Sequence, residues 1–314
     1  MTRKGIYVHI PFCPYKCNYC DFLTFSNVDK MINPYVETLI KEIALYKKIN
    51  SDSSIIDSIF IGGGTPSYIE AKYISLILTE IKKIFDLTYD CEITIEMNPN
   101  TLNEEKIRSY LNSGINRFSL GVQTFDSSIL KILGRDHNKE IVFEEVKMLK
   151  KLGAKNISLD MMLANPKQDM EILKSDLDYL LMLEVDHVSY YTLILEEKTL
   201  FYHWLNQGKI DLFDSDLERK MFHYVDYKLK ANGFNKYEIS NFSKANKESR
   251  HNKKYWQQEE FIGFGLGATG MEGQVRYKNH LTFTSYFEAI EKGELPRLEQ
   301  EELTLEDLEK EYII

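Results

Sequence analysis

The chain has 314 residues, and its hydrophobic content of 43% and charged content of 28% are those of a globular protein, which excludes disorder over most of its length. A formal net charge of −9 disfavours bulk binding to nucleic acid, and no apolar run approaches the roughly 20 residues that a membrane-spanning helix needs. The four cysteines, three of them in one loop, do not form a secreted disulfide framework, so we expect a cytoplasmic protein.

The first predicted strand covers residues 5–10 and leads into a loop with three cysteines, Cys13-Pro-Tyr-Lys-Cys17-Asn-Tyr-Cys20. Thiolates this close in sequence can jointly hold one metal centre. Three ligands suit a [4Fe–4S] cluster with one iron left open, because full cysteine ligation needs a fourth thiolate and none is nearby. A zinc site, which usually takes four ligands, and an incidental group of thiols are the alternatives.

Five more strands are predicted along the chain, and helices separate them. The first helix is expected to begin with Asn33 as its N-cap and Pro34 at its first position, and to end near residue 48. The strands cover residues 55–61, 91–97, 117–122, 156–161 and 186–193, and the later helices cover residues 71–85, 103–112, 127–133, 139–152 and 169–183. Strands that alternate with helices pair in parallel through right-handed crossovers. The pattern predicts an α/β fold, a partial (β/α)6 TIM-like barrel, with a doubly wound sheet as the alternative.

Polar residues follow each predicted strand, at the end where parallel barrels build their sites. After strands one to six they are Cys13, residues 62–65, Glu96 with Asn98, Gln123, Asp160 and Thr192. This agreement predicts one site at the carboxyl face of the barrel. Cys91 lies inside a strand and is expected to be a small buried hydrophobic residue.

The pattern changes after residue 198. We predict a barrel domain over residues 1–198, and over residues 199–314 an α+β extension that packs on the barrel and is not an independent domain. The extension is expected to contain helices at 214–232, 282–292 and 305–312, strands at 236–241 and 274–277, and a glycine-rich turn at 262–270. Its basic residues 244–254 are interpreted as a solvated loop face.

The second strand runs into Gly62-Gly63-Gly64-Thr65-Pro66, where backbone groups can approach a ligand closely. Together with the cysteine loop, this turn resembles the radical SAM superfamily. The resemblance implies a [4Fe–4S] cluster on Cys13, Cys17 and Cys20, with S-adenosylmethionine (SAM) on its open iron and release of a 5′-deoxyadenosyl radical. It also implies an electron donor such as flavodoxin or ferredoxin. The SAM contacts that it implies are Tyr7, Tyr19, Gly63, Gly64, Thr65, Glu96, Gln123, Arg135 and Asp160.

Longer motifs restrict the resemblance to one family within this superfamily. Tyr7-Val-His-Ile-Pro-Phe-Cys13, Gly121-Val-Gln123 and Arg135 resemble the coproporphyrinogen III dehydrogenase-like family, which includes the HemW-type haem chaperones. The dehydrogenases have another cysteine two places after the third ligand and a longer N-terminal segment. This chain has Cys20-Asp21-Phe22 and six residues before Tyr7, so both differences favour the chaperone branch.

A motif in the extension points the same way. His251-Asn-Lys-Lys-Tyr255-Trp256 is similar to the H-N-x-x-Y-W motif of HemW-type proteins, which implies haem binding. A neutral imidazole is a good axial ligand for haem iron, and Tyr255 and Trp256 can pack on a flat macrocycle. A histidine that makes ordinary hydrogen bonds near a helix start, with the aromatic residues in the core, is the other interpretation.

The resemblance implies a haem chaperone that hands haem to apo-haemoproteins, with membrane contact only transient and through the recipient. The alternatives are an oxygen-independent coproporphyrinogen III dehydrogenase, and a zinc or iron module without SAM chemistry. Two departures from the family bear on haem transfer more than on cluster binding. The chain stops at Ile314, so the family's C-terminal helical domain is expected to be absent, and it has Ala268-Thr269-Gly270 where relatives commonly place His after Ala.

Overall fold

A computed structural model describes residues 3–50 and 53–313, and its central feature is a run of six parallel strands. Each strand pairs with the next one along the chain, as the alternation of strands and helices predicts. The strands are β1 (Arg3–Ile10), β2 (Ile55–Gly63), β3 (Leu87–Met97), β4 (Arg117–Gln123), β5 (Ile157–Leu163) and β6 (His187–Thr192). The predicted fold class is confirmed, because this order is the order of a partial (β/α)6 barrel.

Helices connect these strands and cover the sheet. They are α1 (Ile32–Ile49), α2 (Ala71–Ile84), α3 (Glu104–Asn112), α4 (Ser127–Leu133), α5 (Lys139–Lys151) and α6 (Met170–Met182). Side chains cap the starts of α3, α4, α5 and α6; Asp169, for example, accepts hydrogen bonds from the N–H groups of Glu171 and Ile172. The predicted start of α1 is wrong by two residues. Its N-cap is Met31, and Asn33 lies in the first turn and donates to Glu37 at 2.6 Å.

The remaining elements extend the sheet at both edges, so that twelve strands form one sheet in the order β12-β11-β10-β9-β1-β2-β3-β4-β5-β6-β8-β7. On one side β9 pairs in parallel with β1, and on the other β8 pairs antiparallel with β6. These elements are α7 (Leu200–Asn206), α8 (Ser215–Ala231), β7 (Asn235–Lys236), β8 (Asn241–Ser243), α9 (Arg250–Trp256), β9 (Phe261–Phe264), β10 (Thr269–Glu272), β11 (Val275–Asn279), α10 (Phe283–Glu291), β12 (Arg297–Glu302) and α11 (Leu305–Ile313).

The strand predicted at 236–241 is wrong. The chain turns there, because the Tyr237 N–H donates to Asn241 O at 3.1 Å and closes a loop between β7 and β8. The interpretation of residues 244–254 as a solvated face is also wrong in part. Lys254 is buried and its ammonium lies 3.0 Å from Asp57 and 2.8 Å from Glu259. The prediction for Cys91 is confirmed, since its side chain is buried in β3.

A buried carboxylate joins α1 to the later strands. Glu42 accepts hydrogen bonds from Gly265 N at 2.8 Å, Asn279 Nδ2 at 2.8 Å and the Tyr286 hydroxyl at 2.5 Å. These donors lie on the loop after β9, on β11 and on α10. One side chain of the barrel therefore holds three segments of the extension in place. None of the helices formed by residues 3–50 and 53–313 is long and apolar enough to cross a bilayer.

Candidate functional site

The cysteine loop follows β1 and is fixed by backbone hydrogen bonds. Phe25 N donates to Pro11 O at 2.7 Å and Cys13 N donates to Phe25 O at 3.0 Å, which closes the base of the loop. Asn18, between the last two cysteines, donates from its backbone to Leu133 O at 3.1 Å and from its side chain to Ile132 O at 2.8 Å. The end of α4 therefore holds the loop, and its three free cysteines are half-buried.

The thiols lie in surroundings that disfavour their charged form. Burial raises the pKa of Cys13 to about 11, and burial also raises the pKa of Cys20. The positive charge of Lys16 lowers the pKa of both thiols in part. A contact between Cys13 Sγ and Thr65 Oγ1 at 3.4 Å also lowers the pKa of Cys13. In the described part of the chain no three His, Cys, Asp or Glu side chains surround a single-ion site. A [4Fe–4S] cubane does not need such a single-ion site, since each of its cysteine thiolates binds a different iron atom of the cluster.

The glycine turn after β2 lies directly against the cysteine loop. Gly64 N donates to Ile10 O and Thr65 N donates to Phe12 O, both at 2.8 Å. A Cβ atom at Gly64 would lie only 2.7 Å from Phe12 O, so this approach requires glycine. The turn therefore fixes the position of the first cysteine.

A polar chain runs from β3 through the turn to the cysteine loop. Asn98 Nδ2 donates to Thr65 Oγ1 at 2.8 Å, which leaves the Thr65 hydroxyl hydrogen free to point at Cys13 Sγ. Beside it, Gly63 N donates to Glu96 Oε2 at 3.0 Å. Glu96 and Asn98, at the end of β3, thus hydrogen-bond to the turn, and the turn residue Thr65 contacts the Cys13 thiol.

Two predicted acidic residues lie on neighbouring parts of the barrel face. Burial and the nearby Asp160 charge raise the pKa of Glu96 to about 8. Burial also raises the pKa of Asp160, although hydrogen bonds from Ser119 at 3.1 Å oppose the shift. Both carboxyl groups are buried, and the charge of Asp160 affects the pKa of Glu96, so the two groups lie in one region of low polarity.

Three predicted residues meet around Gly121 in β4. A Cβ atom at this glycine would lie 2.9 Å from Asn98 Oδ1, 3.1 Å from Gln123 Nε2 and 3.2 Å from Arg135 Nη2. Gln123 has φ of 68°, a left-handed backbone that non-glycine residues seldom adopt and that occurs at functional sites. Arg135 donates to Gly121 O at 3.2 Å, while its Nε and Nη1 atoms are buried without a hydrogen-bond partner among the described residues.

A cavity of about 740 Å³ opens beside these groups. Of the predicted SAM and cluster residues, Tyr7, Cys20, Gly63 and Glu96 line it, and so does Tyr255 from the extension. Cys13, Cys17, Gly64, Thr65, Gln123, Arg135 and Asp160 do not line it. Tyr19 does not reach the cavity either, because its ring packs near Phe201 with centroids 6.3 Å apart.

Several lining residues were not predicted from the sequence. They are His9, Phe22, Tyr191, Lys198, Thr269, Lys278 and Leu281, among others. The strand-end pattern pointed to Thr192, but side chains alternate along a strand, so its neighbour Tyr191 faces the cavity instead. Thr269, in the glycine-rich segment 262–270, also lines the cavity, and it pairs with Lys278 across β10 and β11.

The H-N-x-x-Y-W residues form α9. His251 is fully buried, and its ring nitrogens lie 3.0 Å from Ser58 Oγ and 3.0 Å from the Tyr255 hydroxyl. This placement does not fit the prediction of His251 as an available axial ligand, because both of its nitrogens already have partners. Tyr255 and Trp256 are 43% and 45% exposed, so the aromatic part of the motif is the accessible part.

Comparison with known proteins agrees with the motifs. Residues 7–180 match the model of the Radical SAM superfamily. The heme chaperone HemW of Lactococcus lactis subsp. lactis (strain IL1403) is 41% identical over 276 residues, which are 88% of this chain and 72% of that protein. The chain belongs to the HemW family of radical SAM proteins.

Two further comparisons extend over almost the whole chain. The heme chaperone HemW of Bacillus subtilis (strain 168) is 35% identical over 317 residues, or 99% of this chain and 82% of that protein. The structure of coproporphyrinogen III oxidase (HemN) from Escherichia coli, a radical SAM enzyme, has a TM-score of 0.86 over 99% of this chain and 74% of that chain. Its sequence identity is 21%, so this match shows a shared fold.

Membership of the HemW family implies a [4Fe–4S] cluster and SAM, and the residues present fit both. Three thiols lie on one fixed loop, which suits a cluster with an open iron. The glycine turn, which leaves no room for a Cβ, allows a ligand to approach the backbone next to this loop, and the unpartnered nitrogens of Arg135 offer donors for a polar ligand.

Proposed function

We propose that this HemW-family protein binds a [4Fe–4S] cluster, SAM and haem, and transfers the haem to apo-haemoproteins. The observation that carries the proposal is 41% identity, over 88% of the chain, to a protein named as a heme chaperone. Phe22 stands two places after Cys20, where the dehydrogenases have a further cysteine, and this difference supports the chaperone function over oxidation of coproporphyrinogen III.

Within this proposal Cys13, Cys17 and Cys20 hold the cluster. The SAM-binding residues are Tyr7, Tyr19, Gly63, Gly64, Thr65, Glu96, Gln123, Arg135 and Asp160. In this proposal Glu96 and the Gly63 carbonyl accept from the methionyl ammonium, and Arg135 donates to a SAM oxygen. The chemistry that a reduced cluster supplies with SAM is one-electron cleavage of a sulfonium bond, and an electron donor such as flavodoxin or ferredoxin is required for it.

Glu96→Gln is expected to weaken SAM binding about tenfold in calorimetric titrations of the reconstituted protein, because a charged acceptor is lost.

The affinity of the wild-type protein for SAM should also rise from pH 6 to pH 7.5. Glu96 has a pKa of about 8, so it must release a proton to pair with the ammonium, and that release is easier at higher pH. The variant should lack this dependence. Glu105→Gln, on the exposed face of α3, is the control, and equal affinities in all three proteins would contradict the SAM assignment of Glu96.

The haem part of the proposal assigns Tyr255 and Trp256 to the macrocycle and His251 to positioning Tyr255. The chain has two tryptophans, which gives a matched pair of variants. Trp256→Ala should weaken haem binding about five- to tenfold, since an aromatic contact is lost. Trp204→Ala, in α7 and outside the H-N-x-x-Y-W motif, should leave haem affinity unchanged. Equal affinity for haem in both variants would remove Trp256 from the site.

Transfer is tested by mixing the haem-loaded protein with an apo-haemoprotein. Directed transfer predicts a rate that rises with acceptor concentration, whereas passive release gives a rate independent of it. The same reconstituted protein is given coproporphyrinogen III and SAM under reducing conditions. Formation of protoporphyrinogen IX would overturn the chaperone function and establish the dehydrogenase.

A further inference from the structure

Two lysines at the cavity have no ionic partner. Lys198, in the loop after β6, and Lys278, on β11, both line the cavity, and their ammonium groups make no ion pair or hydrogen bond with residues 3–50 or 53–313. The third lysine of the cavity differs from them. Lys16 donates to Phe22 O at 2.7 Å and to Thr24 Oγ1 at 3.0 Å, so it serves the cysteine loop itself.

The two free cations face the cavity from different parts of the fold. β6 and β11 lie far apart in the strand order, with β10, β9 and β1 to β5 between them. Lys198 and Lys278 therefore approach one space from two sides. A ligand that pairs with both must carry two anionic groups, or one group large enough to span them.

Large apolar side chains are exposed in the lining of this cavity. Phe22 is 63% exposed, Tyr191 is 42% exposed and Leu281 is 37% exposed, and all three line the cavity. Large apolar side chains that are exposed inside a concave site are typical of ligand binding. The deeper lining, with Tyr7, Gly63 and Glu96, is polar and less exposed.

We propose that the exposed end of the cavity binds haem, with its two propionates on Lys198 and Lys278 and its macrocycle against Phe22 and Leu281. This inference rests on the proposed function, and it adds residues outside the H-N-x-x-Y-W motif. Of the acidic residues in the lining, Asp21 is exposed to solvent and Glu96 already accepts from Gly63 N at 3.0 Å. The two lysines thus remain available to a dicarboxylate.

The proposal separates haem from SAM by charge. SAM has a single carboxylate and a cationic sulfonium, so it gains little from two separated cations. Haem has two propionates on a flat apolar ring, and the cavity offers two lysines together with the exposed apolar side chains of Phe22 and Leu281. Haem dimethyl ester retains the ring and has no propionate charge, and it is the probe that isolates the lysine contribution.

The experiment measures binding of haem, haem dimethyl ester and SAM to Lys198→Met, Lys278→Met and the double variant. Methionine keeps an apolar stem and removes the charge. Each single variant should weaken haem binding about three- to tenfold, with a larger loss in the double variant. Binding of the dimethyl ester and of SAM should match the wild type. Lys209→Met, exposed and outside the cavity, is the control and should bind haem normally.

The outcomes separate this inference from the function on which it rests. Saturable haem binding that is equal in the wild type and the double variant would overturn the lysine assignment and leave the haem chaperone proposal standing. Weaker binding of SAM with unchanged binding of haem would also overturn it and would assign the lysines to the SAM carboxylate. Absence of saturable haem binding in the wild type would overturn the proposed function itself.

Discussion

Cys17→Ala is expected to abolish the iron–sulfur absorbance of the anaerobically reconstituted protein and to reduce its bound iron to less than about a tenth of the wild-type content. A cubane with three protein thiolates loses a corner ligand in this variant, and the described residues offer no fourth cysteine in the loop. Absorption spectra and iron analysis of the same sample are the measurement.

The matched control is Cys91→Ala. Cys91 is buried in β3, and its Sγ lies 3.8 Å from Glu92 O, in a strand interior. We expect this variant to keep the full cluster content, because a buried thiol that acts as a hydrophobic residue does not hold iron. Unchanged absorbance and iron in Cys17→Ala would refute the assignment of the three-cysteine loop.

Glu42→Ala should have the largest effect on stability, lowering the free energy of unfolding by about 3 kcal/mol. The variant leaves the donors of Gly265, Asn279 and Tyr286 buried and without their acceptor. Urea unfolding followed by circular dichroism is the measurement. Lys41→Ala, the exposed neighbour on α1, is the control and should unfold within about 0.5 kcal/mol of the wild type.

The same residue predicts a pH dependence. Burial raises the pKa of Glu42 to about 7, above its value of 4.5 in an unfolded chain. Between these two values the folded state holds a proton that the unfolded state has lost, so stability falls as pH rises from about 4.5 to 7. Glu42→Gln cannot ionise and should lack this part of the pH profile. A wild-type profile parallel to that of the glutamine variant would contradict this interpretation of Glu42.

The barrel and its cysteine loop could be predicted because both depend on local sequence patterns. Each of the six strands is a short apolar run with a helix after it, and parallel pairing follows from that alternation alone. The residues after each strand, such as Glu96 and Gln123, could be assigned to one face because the carboxyl ends of parallel strands share an edge.

The extension was harder to predict because its strands depend on contacts distant in sequence. β9 and β10 contain glycines at 263 and 270, which weaken the strand pattern, and β9 is stabilised by pairing with β1 more than 250 residues away. The burial of His251 is a similar case. Its ring contacts Ser58 and Phe60 of β2, and the sequence around residue 251 does not indicate these contacts.

The pairing of β9 with β1 also has a mechanical consequence. The aromatic residues at the end of α9 are separated from β9 by only a few residues, and β1 continues directly into the cysteine loop. Two side chains of the barrel also hydrogen-bond to α9. Ser58 on β2 bonds to the His251 ring, and Glu92 on β3 accepts from the backbone N–H of Arg250. We therefore expect a displacement of α9 to reach, through β9 and β1, the loop that carries the three thiols.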